Sequence, residues 1–483
     1  MNERNPSLLL SECDTLISCR NSQGGEIRAT PVRLTRFSTV FEVYNPHSIL
    51  QLSEVLSDFR IVLGDRCVYA GRGVVSNLVN AGIMLLCEVT LDEGWLDVDL
   101  FSPITQPQRL LEEFDAFMGQ WRKTLAITPQ FKVAVADLQT LLADLRRWLD
   151  QVELGVRSEP TGRRAELENR VLTELEGRIV PAVGEWMDRF DAVADAVHED
   201  LRPAGRAYAR RQLHPLVMCS PFVYRTFHKP LGYAGDYEMV NMILRDPHEG
   251  ATLFAKLVNV VFLQNPPAEA HRNRIQHLRK RLAEETRRVA ATGRRAQILN
   301  MGCGPAREVQ LFLAEDELSN EADIVLLDFN KETLEYTRKV LEDLRARHNR
   351  RTNLVLEEKS INQLLKQALR PEMTNLRQRF DFVYCAGLFD YVSDRVCARL
   401  MELFYELVAP EGLLLVTNVD ASKPFRHSMD YLLEWHLIYR DRQQMSLLVP
   451  NSNGKPPEWQ TLTDPTGVNV FLEIRKRAAG PGR

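Results

Sequence analysis

Hydrophobic and polar positions alternate in short runs between residues 15 and 101, where Gly, Asn and Pro separate the runs. Such alternation predicts a small antiparallel β-barrel, with Arg33–Val43 and Ala81–Val89 among its strands. From Gln106 to Leu154 the apolar spacing becomes helical. The polar stretch 155–164 contains Gly and Pro and predicts a linker or loop. A second helical stretch then runs from Ala165 to about Arg211.

A different pattern begins at residue 297. The apolar run Gln297–Met301 leads directly into Gly302-Cys303-Gly304, and an amphipathic stretch follows from Glu308 to Leu313. Glycines at this spacing let the backbone turn tightly beside a ligand, and the next helix offers its N-terminus. A second apolar run, Ile324–Asp328, ends in a carboxylate of the kind that binds ribose hydroxyls. Together these features predict a nucleoside-binding site.

Two common nucleotide-binding patterns do not fit this turn. A dinucleotide fingerprint requires a third glycine where this chain has Arg307. A P-loop requires Gly-Lys-Ser/Thr, which the turn lacks.

The turn instead resembles the S-adenosylmethionine (SAM) pocket of class I methyltransferases. The resemblance implies an α/β fold, a Rossmann-like seven-stranded methyltransferase domain preceded by a helical lid region and the small N-terminal β-barrel. Its later strands would be Asn353–Ser360, Phe380–Asp390, Pro410–Asn418 and, at the sheet edge, Val468–Ile474. The implied cofactor is SAM, and the implied cofactor-binding residues are Asn300, Gly302, Cys303, Gly304, Asp328, Phe329, Ser360, Ile361, Cys385, Ala386 and Gly387.

The chain departs from that family at Asn300, where the family usually has an acidic residue that helps to hold the methionine part of SAM. The cationic ammonium therefore needs a carboxylate or carbonyl groups from elsewhere. Asp236 is a candidate, since it lies in the glycine-containing segment His228–Asn241. That segment is either a lid over the cofactor or a loop in which Asp236 caps a helix from Glu238 to Leu244. On the lid hypothesis, Tyr233, Asp236 and His228 are the candidate catalytic residues, and Asp236 and Tyr237 also contact SAM.

The segment Lys229–Tyr237 resembles the corresponding segment of a group of bacterial methyltransferases. These proteins make 3-hydroxypalmitic acid methyl ester, an extracellular quorum signal. The resemblance covers roughly residues 160–483 and implies carboxyl O-methylation of a 3-hydroxy fatty acid. A carboxylate is ionised at neutral pH and needs no strong base, which agrees with the lack of an obvious His or Lys in the fourth-strand turn. Candidate substrate contacts are Arg225, His228 and Lys229 for an anionic head group, and Phe389, Tyr391, Phe425, Tyr431 and Trp435 for an acyl chain.

Two alternatives stay open. The methyl acceptor could be a protein or another small molecule. The chain could also be a regulatory adaptor in which the barrel senses a nucleotide and the methyltransferase fold is a scaffold.

The N-terminal barrel resembles a PilZ-type domain, a family that binds cyclic di-GMP through an arginine arm and an Asp/Asn-x-Ser-x-x-Gly turn. Asn77–Gly82 keeps the outline of that turn, but Val79 stands where the serine belongs. Arg28, Arg33 and Arg36 lack the spacing of the arm. We therefore do not expect cyclic di-GMP binding, and docking or homodimer formation is the alternative role.

Composition adds limits. A length of 483 residues predicts two or three domains, at 1–105, 106–250 and 251–483. A net charge of −4 gives no general attraction to nucleic acid.

The basic stretch 271–295 predicts a solvated helix face, although Arg272 or Arg274 could reach the cofactor carboxylate. The eight cysteines show no C-x-x-C pair, so we expect reduced thiols, a cytoplasmic location and no metal site. No apolar stretch is long enough to span a bilayer.

Overall fold

The chain forms two compact units in a computed structural model that describes residues 15–34, 37–44, 50–63, 66–81, 84–91, 111, 114–115, 118–119, 121–122, 126–367, 379–422, 425–450 and 457–477. The first unit contains Met1–Ala234, Asp246–Asn265 and Pro424–His436. The second unit contains Gly235–Arg245, Pro266–Lys423 and Leu437–Arg483. The predicted boundary at residue 105 lies outside the described residues.

The strands are β1 (Thr15–Arg20), β2 (Glu26–Ala29), β3 (Pro31–Leu34), β4 (Ser38–Tyr44), β5 (Val55–Leu63), β6 (Arg66–Ala81), β7 (Met84–Leu91), β8 (Ala296–Met301), β9 (Ala322–Asp328), β10 (Asn353–Glu358), β11 (Phe380–Cys385), β12 (Val408–Val419), β13 (Glu458–Thr463) and β14 (Asn469–Arg475). The α-helices are α1 (Pro129–Ser158), α2 (Thr161–Asp195), α3 (Arg202–Val217), α4 (Pro221–His228), α5 (Tyr237–Leu244), α6 (Leu253–Leu263), α7 (Pro266–Ala290), α8 (Arg307–Glu315), α9 (Lys331–Arg347), α10 (Ile361–Gln367), α11 (Asp394–Leu407), α12 (Arg426–Leu432) and α13 (Arg442–Ser446).

In the first unit, strands β1–β7 form a nearly closed sheet in the order β2-β1-β5-β6-β7-β4-β3. Every neighbouring pair is antiparallel, which confirms the antiparallel strands predicted from the alternation. The predicted turn at Asn77–Gly82 is wrong for its described part. Residues 77–81 continue β6, where Asn77 pairs with Glu88 and Val79 with Leu86 on β7. Gly82 lies outside the described residues.

The predicted linker at 155–164 is also wrong, because α1 and α2 form a helical hairpin around it. Only Glu159 and Pro160 separate the two helices. Gly155 and Gly162 lie within the helices at exposed positions, where a glycine costs about 1 kcal/mol relative to alanine without breaking the helix. The break comes from Pro160, since the residue before a proline avoids helical geometry and Glu159 is extended (φ −76°, ψ 156°).

The second helical stretch is confirmed in type, but it is interrupted. Helix α2 ends at Asp195, a short 3-10 helix covers Glu199–Leu201, and α3 begins at Arg202.

In the second unit, strands β8–β14 form the predicted seven-stranded sheet in the order β10-β9-β8-β11-β12-β14-β13. Strands β10, β9, β8, β11 and β12 are parallel, whereas β14 is antiparallel to both neighbours. The predicted edge position of the last strand is wrong, because β13 pairs outside β14. The sequence did not reveal β13, since its residues are exposed or half-buried and lack an apolar run.

The order of the parallel strands places the candidate site. Strand β8 lies in the middle, with β9 on one side and β11 on the other. Asn300 is in register with both Tyr384 and Leu326, and the three strands end together. The turns that follow β8, β9 and β11 therefore meet at one edge, where open α/β sheets bind ligands. Among the described residues no helix is both long and apolar enough to cross a membrane.

Candidate functional site

The glycine turn after β8 folds back onto β9. The backbone N–H groups of Gly302 and Cys303 both donate to the carbonyl of Leu327, at 2.8 and 2.9 Å. Gly302 and Gly304 have φ values of +68° and +50°, which side chains rarely adopt. A Cβ at Gly304 would meet no described atom within 4 Å, and one at Gly302 would meet only Leu388, at 3.9 Å. The backbone of this turn therefore faces space that a ligand can enter.

Asp328 joins the second turn to the first. Its Oδ2 accepts a hydrogen bond from the Gly304 N–H and its Oδ1 accepts one from the Asn330 N–H, both at 3.0 Å. Burial raises the pKa of Asp328, although these backbone donors counteract part of that effect. The position at the end of β9 beside the glycine turn suits the ribose contact predicted for Asp328, and half-buried Phe329 follows it directly.

Ser360 and Ile361 come next along the same edge. The N–H of Lys359 donates to the Asp328 carbonyl at 2.8 Å, which brings the start of α10 beside β9. Ser360 and Gln363 exchange hydrogen bonds, at 2.9 Å from the Ser360 N–H and 3.3 Å to its Oγ. Ser360 thus caps α10.

A buried carboxylate that the sequence did not reveal lies beside Asn300. The Nδ2 of Asn300 donates to Oε1 of Glu308 at 3.0 Å, and the Tyr384 hydroxyl donates to the same oxygen at 2.8 Å. Glu308 belongs to the first turn of α8 and is only 5% exposed. Burial raises its pKa, while nearby Arg274 lowers it. Although residue 300 is not acidic, the carboxyl group of Glu308 therefore lies directly beside it.

The turn after β11 contains Cys385, Ala386 and Gly387 directly beside the end of β8. Cys385 is fully buried and burial raises the pKa of its thiol, so the group is neutral. Gly387 has a φ of +92°, and its N–H donates to Thr417 Oγ1 at 3.1 Å. A Cβ on Gly387 would lie 3.3 Å from Nη2 of Arg274, so glycine permits this close approach.

Arg274 comes from α7 and carries the positive charge at this turn. Its Nη2 donates to Nδ1 of His271 at 2.8 Å. An arginine can only donate, so His271 accepts at Nδ1 and carries its proton on Nε2. Burial and the charge of Arg274 both lower the pKa of His271, which keeps the ring neutral. Arg274 of the basic stretch therefore lies beside the turn after β11, and its contact with the cofactor carboxylate stays a prediction.

Asp390 follows the same turn in a short 3-10 helix, Phe389–Tyr391. Its Oδ1 accepts a hydrogen bond from the Val419 N–H at 2.7 Å, and the side chain is almost fully buried. Burial raises the pKa of Asp390 to about 6, and the charge of Arg274 limits the rise. Asp390 was not selected from the sequence as a site residue because a single Asp after a strand is common.

Helix α5 is attached to two parts of the second unit that surround this edge. At its start, the ring of Tyr237 stacks on Tyr336 with centroids 4.6 Å apart, and its hydroxyl donates to Glu332 at 3.0 Å. At its end, Nη1 of Arg272 donates to the carbonyl of Ile243 at 2.9 Å. The helix therefore extends from the start of α9 to the start of α7.

Asp236 caps α5, as predicted. Its Oδ1 accepts from the Met239 N–H at 2.8 Å, and the side chain is 2% exposed. The preceding Gly235 (φ +77°) lies close to the turn after β11, since a Cβ there would be 3.0 Å from the Tyr391 hydroxyl. The cap and the position beside the β11 turn are compatible with each other, and the contact of Asp236 with SAM stays a prediction.

The remaining candidates are divided between the two units. His228 and Tyr233 belong to the first unit, where the His228 ring contacts Tyr224 at 4.2 Å between centroids. Lys229 is buried, and its Nζ donates to the carbonyl of Leu433 at 3.2 Å, so it is not an exposed head-group contact. The acyl-chain candidates divide in the same way, with Phe389 and Tyr391 in the second unit and Phe425, Tyr431 and Trp435 in the first.

Comparison with known proteins bears on the part of the chain that forms most of the seven-stranded sheet. Residues 293–456 match a family model described as a methyltransferase domain. Comparison with curated protein sequences gives no match. Among solved structures, a possible exported protein from Bordetella parapertussis is similar, with 18% identity, a TM-score of 0.40, and coverage of 53% of this chain and 86% of that chain. Magnesium protoporphyrin IX methyltransferase from Synechocystis PCC 6803, solved with bound SAH, has 11% identity and a TM-score of 0.31, over 44% of this chain and 87% of that chain.

The geometry of the site fits the cofactor that this match implies. Open space faces Gly302 and Gly304, Asp328 lies at the end of β9 beside the glycine turn, and the Glu308 carboxyl group and Arg274 lie near the end of β11. Residues 293–456 thus contain a methyltransferase domain, and the protein is an S-adenosylmethionine-dependent methyltransferase.

Proposed function

We propose that the enzyme transfers a methyl group from SAM to the carboxylate of a 3-hydroxy fatty acid and forms a methyl ester. The proposal is supported by the resemblance of Lys229–Tyr237 and by the chemistry of the turn after β11. The observation that carries it is that neither the thiol nor the imidazole beside this turn is suited to act as a general base. Cys385 is a buried neutral thiol, and His271 has its Nδ1 lone pair engaged by Arg274. Asp390, with a pKa raised to about 6, is able to accept a proton, so methylation of the hydroxyl is tested separately below.

An acceptor that needs no deprotonation suits such a site. Free carboxylic acids have pKa values near 4, so the acceptor is already a nucleophile at neutral pH. Hydroxyl or amine acceptors must lose a proton during or after methyl transfer, and a positioned base usually takes it. The enzyme then has to align the carboxylate and exclude water from the site.

We assign the binding roles as follows. Asp328 holds the ribose hydroxyls, Glu308 with Asn300 faces the methionine ammonium, and Arg274 faces the methionine carboxylate. When bound, SAM supplies an electrophilic methyl group on a positively charged sulfur. Helix α5 with Tyr237 acts as the lid, because it is attached at the starts of both α9 and α7.

The acceptor class is tested with purified enzyme and three matched lipids of equal chain length. These are a 3-hydroxy fatty acid, the same acid without the hydroxyl, and the amide of the 3-hydroxy acid, which lacks the carboxylate. We expect methylation of the hydroxy acid, weaker methylation of the plain acid and none of the amide. Methylation of the amide at a similar rate, or of none of the three lipids while protein becomes labelled, would refute the proposed acceptor.

We further propose that the barrel of β1–β7 serves docking or homodimer formation and binds cyclic di-GMP poorly. Two of the arginines nearest the PilZ-like pattern already have carboxylate partners, since Arg28 pairs with Glu26 and Arg33 with Glu88, each at 3.3 Å. Titration of the full-length protein with cyclic di-GMP should show no micromolar binding. Saturable micromolar binding would make nucleotide control the leading role of this domain.

A further inference from the structure

Two arginines on α3 have hydrogen-bonding capacity that the protein does not use. Arg202 and Arg206 are one helical turn apart, so both project from the same face of α3. The Nε atoms of both are buried and have no hydrogen-bond partner among the residues that the structure describes. A buried charged donor without an acceptor is costly, so this arrangement requires an explanation.

Arg210, one helical turn further along α3, has hydrogen-bond acceptors within the protein. Its Nη1 pairs with Oε1 of Glu434 at 2.5 Å, and its Nε donates to the carbonyl of Tyr431 at 2.8 Å. The described part of the chain provides no such carboxylate contact for Arg202 or Arg206.

A buried tyrosine hydroxyl in the same unit also lacks a described hydrogen-bond partner. Tyr431 is 1% exposed, and its hydroxyl has no hydrogen-bond partner within the described ranges. The Tyr431 hydroxyl lies beside the turn of α3 that carries both arginines, because a Cβ on Gly205 would be 3.8 Å from it.

The carboxylates nearby are already engaged. Asp430 accepts from His436, and Arg206 is near enough to help lower the pKa of Asp430 without forming an ion pair with it in the described structure. Asp191 accepts from the N–H groups of His427 and Ser428, at 3.1 and 2.7 Å. Neither carboxylate therefore satisfies the buried Nε atoms of the two arginines.

We propose that this cluster, formed by Arg202, Arg206 and Tyr431, binds a small oxyanion group, a carboxylate or a phosphate. An arginine can only donate, so the missing partner must be an acceptor. Two guanidinium groups are suited to the several oxygens of one such anion, and the tyrosine hydroxyl adds a further donor. The site belongs to the first unit and is independent of the acceptor proposed above.

The proposal is tested by thermal unfolding of the full-length protein with sodium phosphate or sodium acetate, with sodium chloride at matched ionic strength as reference. An anion that binds the folded state raises the unfolding temperature in a saturable way. We expect such a rise with at least one anion. The preferred anion then distinguishes a phosphate-type ligand from a carboxylate-type one.

Substitutions distinguish anion binding at this cluster from a general effect of the protein's charge. In the double variant Arg202→Gln/Arg206→Gln the affinity should fall by roughly 10- to 100-fold, the usual effect of losing charged hydrogen bonds. Tyr431→Phe keeps the ring and should lose part of the affinity. Arg178→Gln, which removes an exposed charge from α2 of the same unit, should behave like wild type.

The folding control follows from the same observation. The two guanidinium groups have buried atoms without a partner, so the double variant should be at least as stable as wild type in chloride alone. An unchanged anion response in that folded double variant would overturn the proposal. So would a wild-type protein that neither phosphate nor acetate stabilises beyond chloride.

Discussion

At the scale of single residues, Glu308 is a buried carboxyl group beside Asn300 that the sequence pattern does not reveal. Comparison of the sequence with the class I pattern finds Asn300 in place of an acid, and it points to Asp236 as the replacement because the glycine-containing segment His228–Asn241 could close over the pocket. The structure instead brings Glu308 to Asn300, since the first turn of α8 folds back beside β8. Linear spacing cannot show this approach, because it depends on the tight turn at residues 302–306.

The two carboxylates can be distinguished by isosteric substitution. Glu308→Gln should weaken SAM binding by about 1.5–3 kcal/mol, the usual cost of losing a hydrogen bond to a charged group. The ligand-free protein should be no less stable, because burial already disfavours the charged form of Glu308. Calorimetric titration with SAM measures the first effect and thermal unfolding the second. Wild-type affinity in Glu308→Gln would remove this residue from the ammonium site.

Asp236→Asn is the companion test of the lid. Asn caps a helix about as well as Asp, so the bond to the Met239 N–H and the stability without ligand should be retained. If Asp236 also contacts SAM, this substitution lowers SAM affinity and turnover together. A variant that binds and turns over like wild type would leave Asp236 as a cap alone.

Gly304→Val tests the turn itself. A β-branched side chain at a φ of +50° is strained and points into the space that faces the turn, so SAM binding should be lost. Circular dichroism checks that the variant is folded, and calorimetry measures its affinity. A folded variant with unchanged affinity would show that the cofactor does not approach the chain at this turn.

Asp390 links the site to pH. Its folded-state pKa is raised from 3.8 to about 6, so the folded protein holds this proton more tightly than the unfolded chain does. The contribution of protonated Asp390 to the free energy of unfolding is fully present below about pH 4 and is lost as the pH rises through about 4 to 6. Between these limits the free energy of unfolding of wild type should fall relative to Asp390→Asn by up to about 3 kcal/mol. Urea denaturation at several pH values measures it, and parallel pH curves for the two proteins would contradict the assignment.

At the scale of elements, the apolar strands were predictable and the polar ones were not. Strands β8 and β9 follow from their apolar runs, and β10, β11 and β12 from the family pattern. Strand β13 was missed because its side chains face solvent or are half-buried at the sheet edge, which placed β14 wrongly there. The linker prediction failed for the opposite reason, since two exposed glycines in helices look like loop residues in a sequence.

The first unit contains a buried ion cluster that joins β6 and α3 to the segment after α12. Glu434 is 1% exposed and pairs with Arg72 of β6 at 3.0 Å and with Arg210 of α3 at 2.5 Å. Both cations hold the pKa of Glu434 far below its usual range. Sequence patterns give no indication of it, because the three residues are far apart along the chain.

Removal of this carboxylate should be costly. Glu434→Gln leaves two cations without their buried counter-charge, so we expect a loss of about 3–5 kcal/mol in the free energy of unfolding. Glu174→Gln is the matched control, because Glu174 pairs with Arg170 on the exposed surface of α2 and should change stability by less than about 1 kcal/mol. Chemical denaturation of both variants measures the difference. Equal effects of the two substitutions would mean that the buried cluster does not stabilise the first unit.

At the scale of the whole molecule, the two compact units do not follow the order of the chain. Residues 246–265 and 424–436 belong to the first unit, while α5 belongs to the second. A sequence pattern reports local periodicity, whereas membership of a unit depends on contacts between distant segments. The seven-stranded fold and its cofactor turn were therefore predictable, but the separation of His228 and Tyr233 from Asp236 and Tyr237 into different units was not.

The most direct test of ester formation uses full-length enzyme, SAM labelled in its methyl group and a 3-hydroxy fatty acid. The lipid product is extracted and treated with alkali, and labelled methanol is measured by mass spectrometry. A methyl ester releases its label as methanol, so we expect label in the lipid fraction that alkali converts to methanol. Label that stays on the lipid after alkali, as in a methyl ether, or label found only in protein would show that the acceptor is not a fatty acid carboxylate.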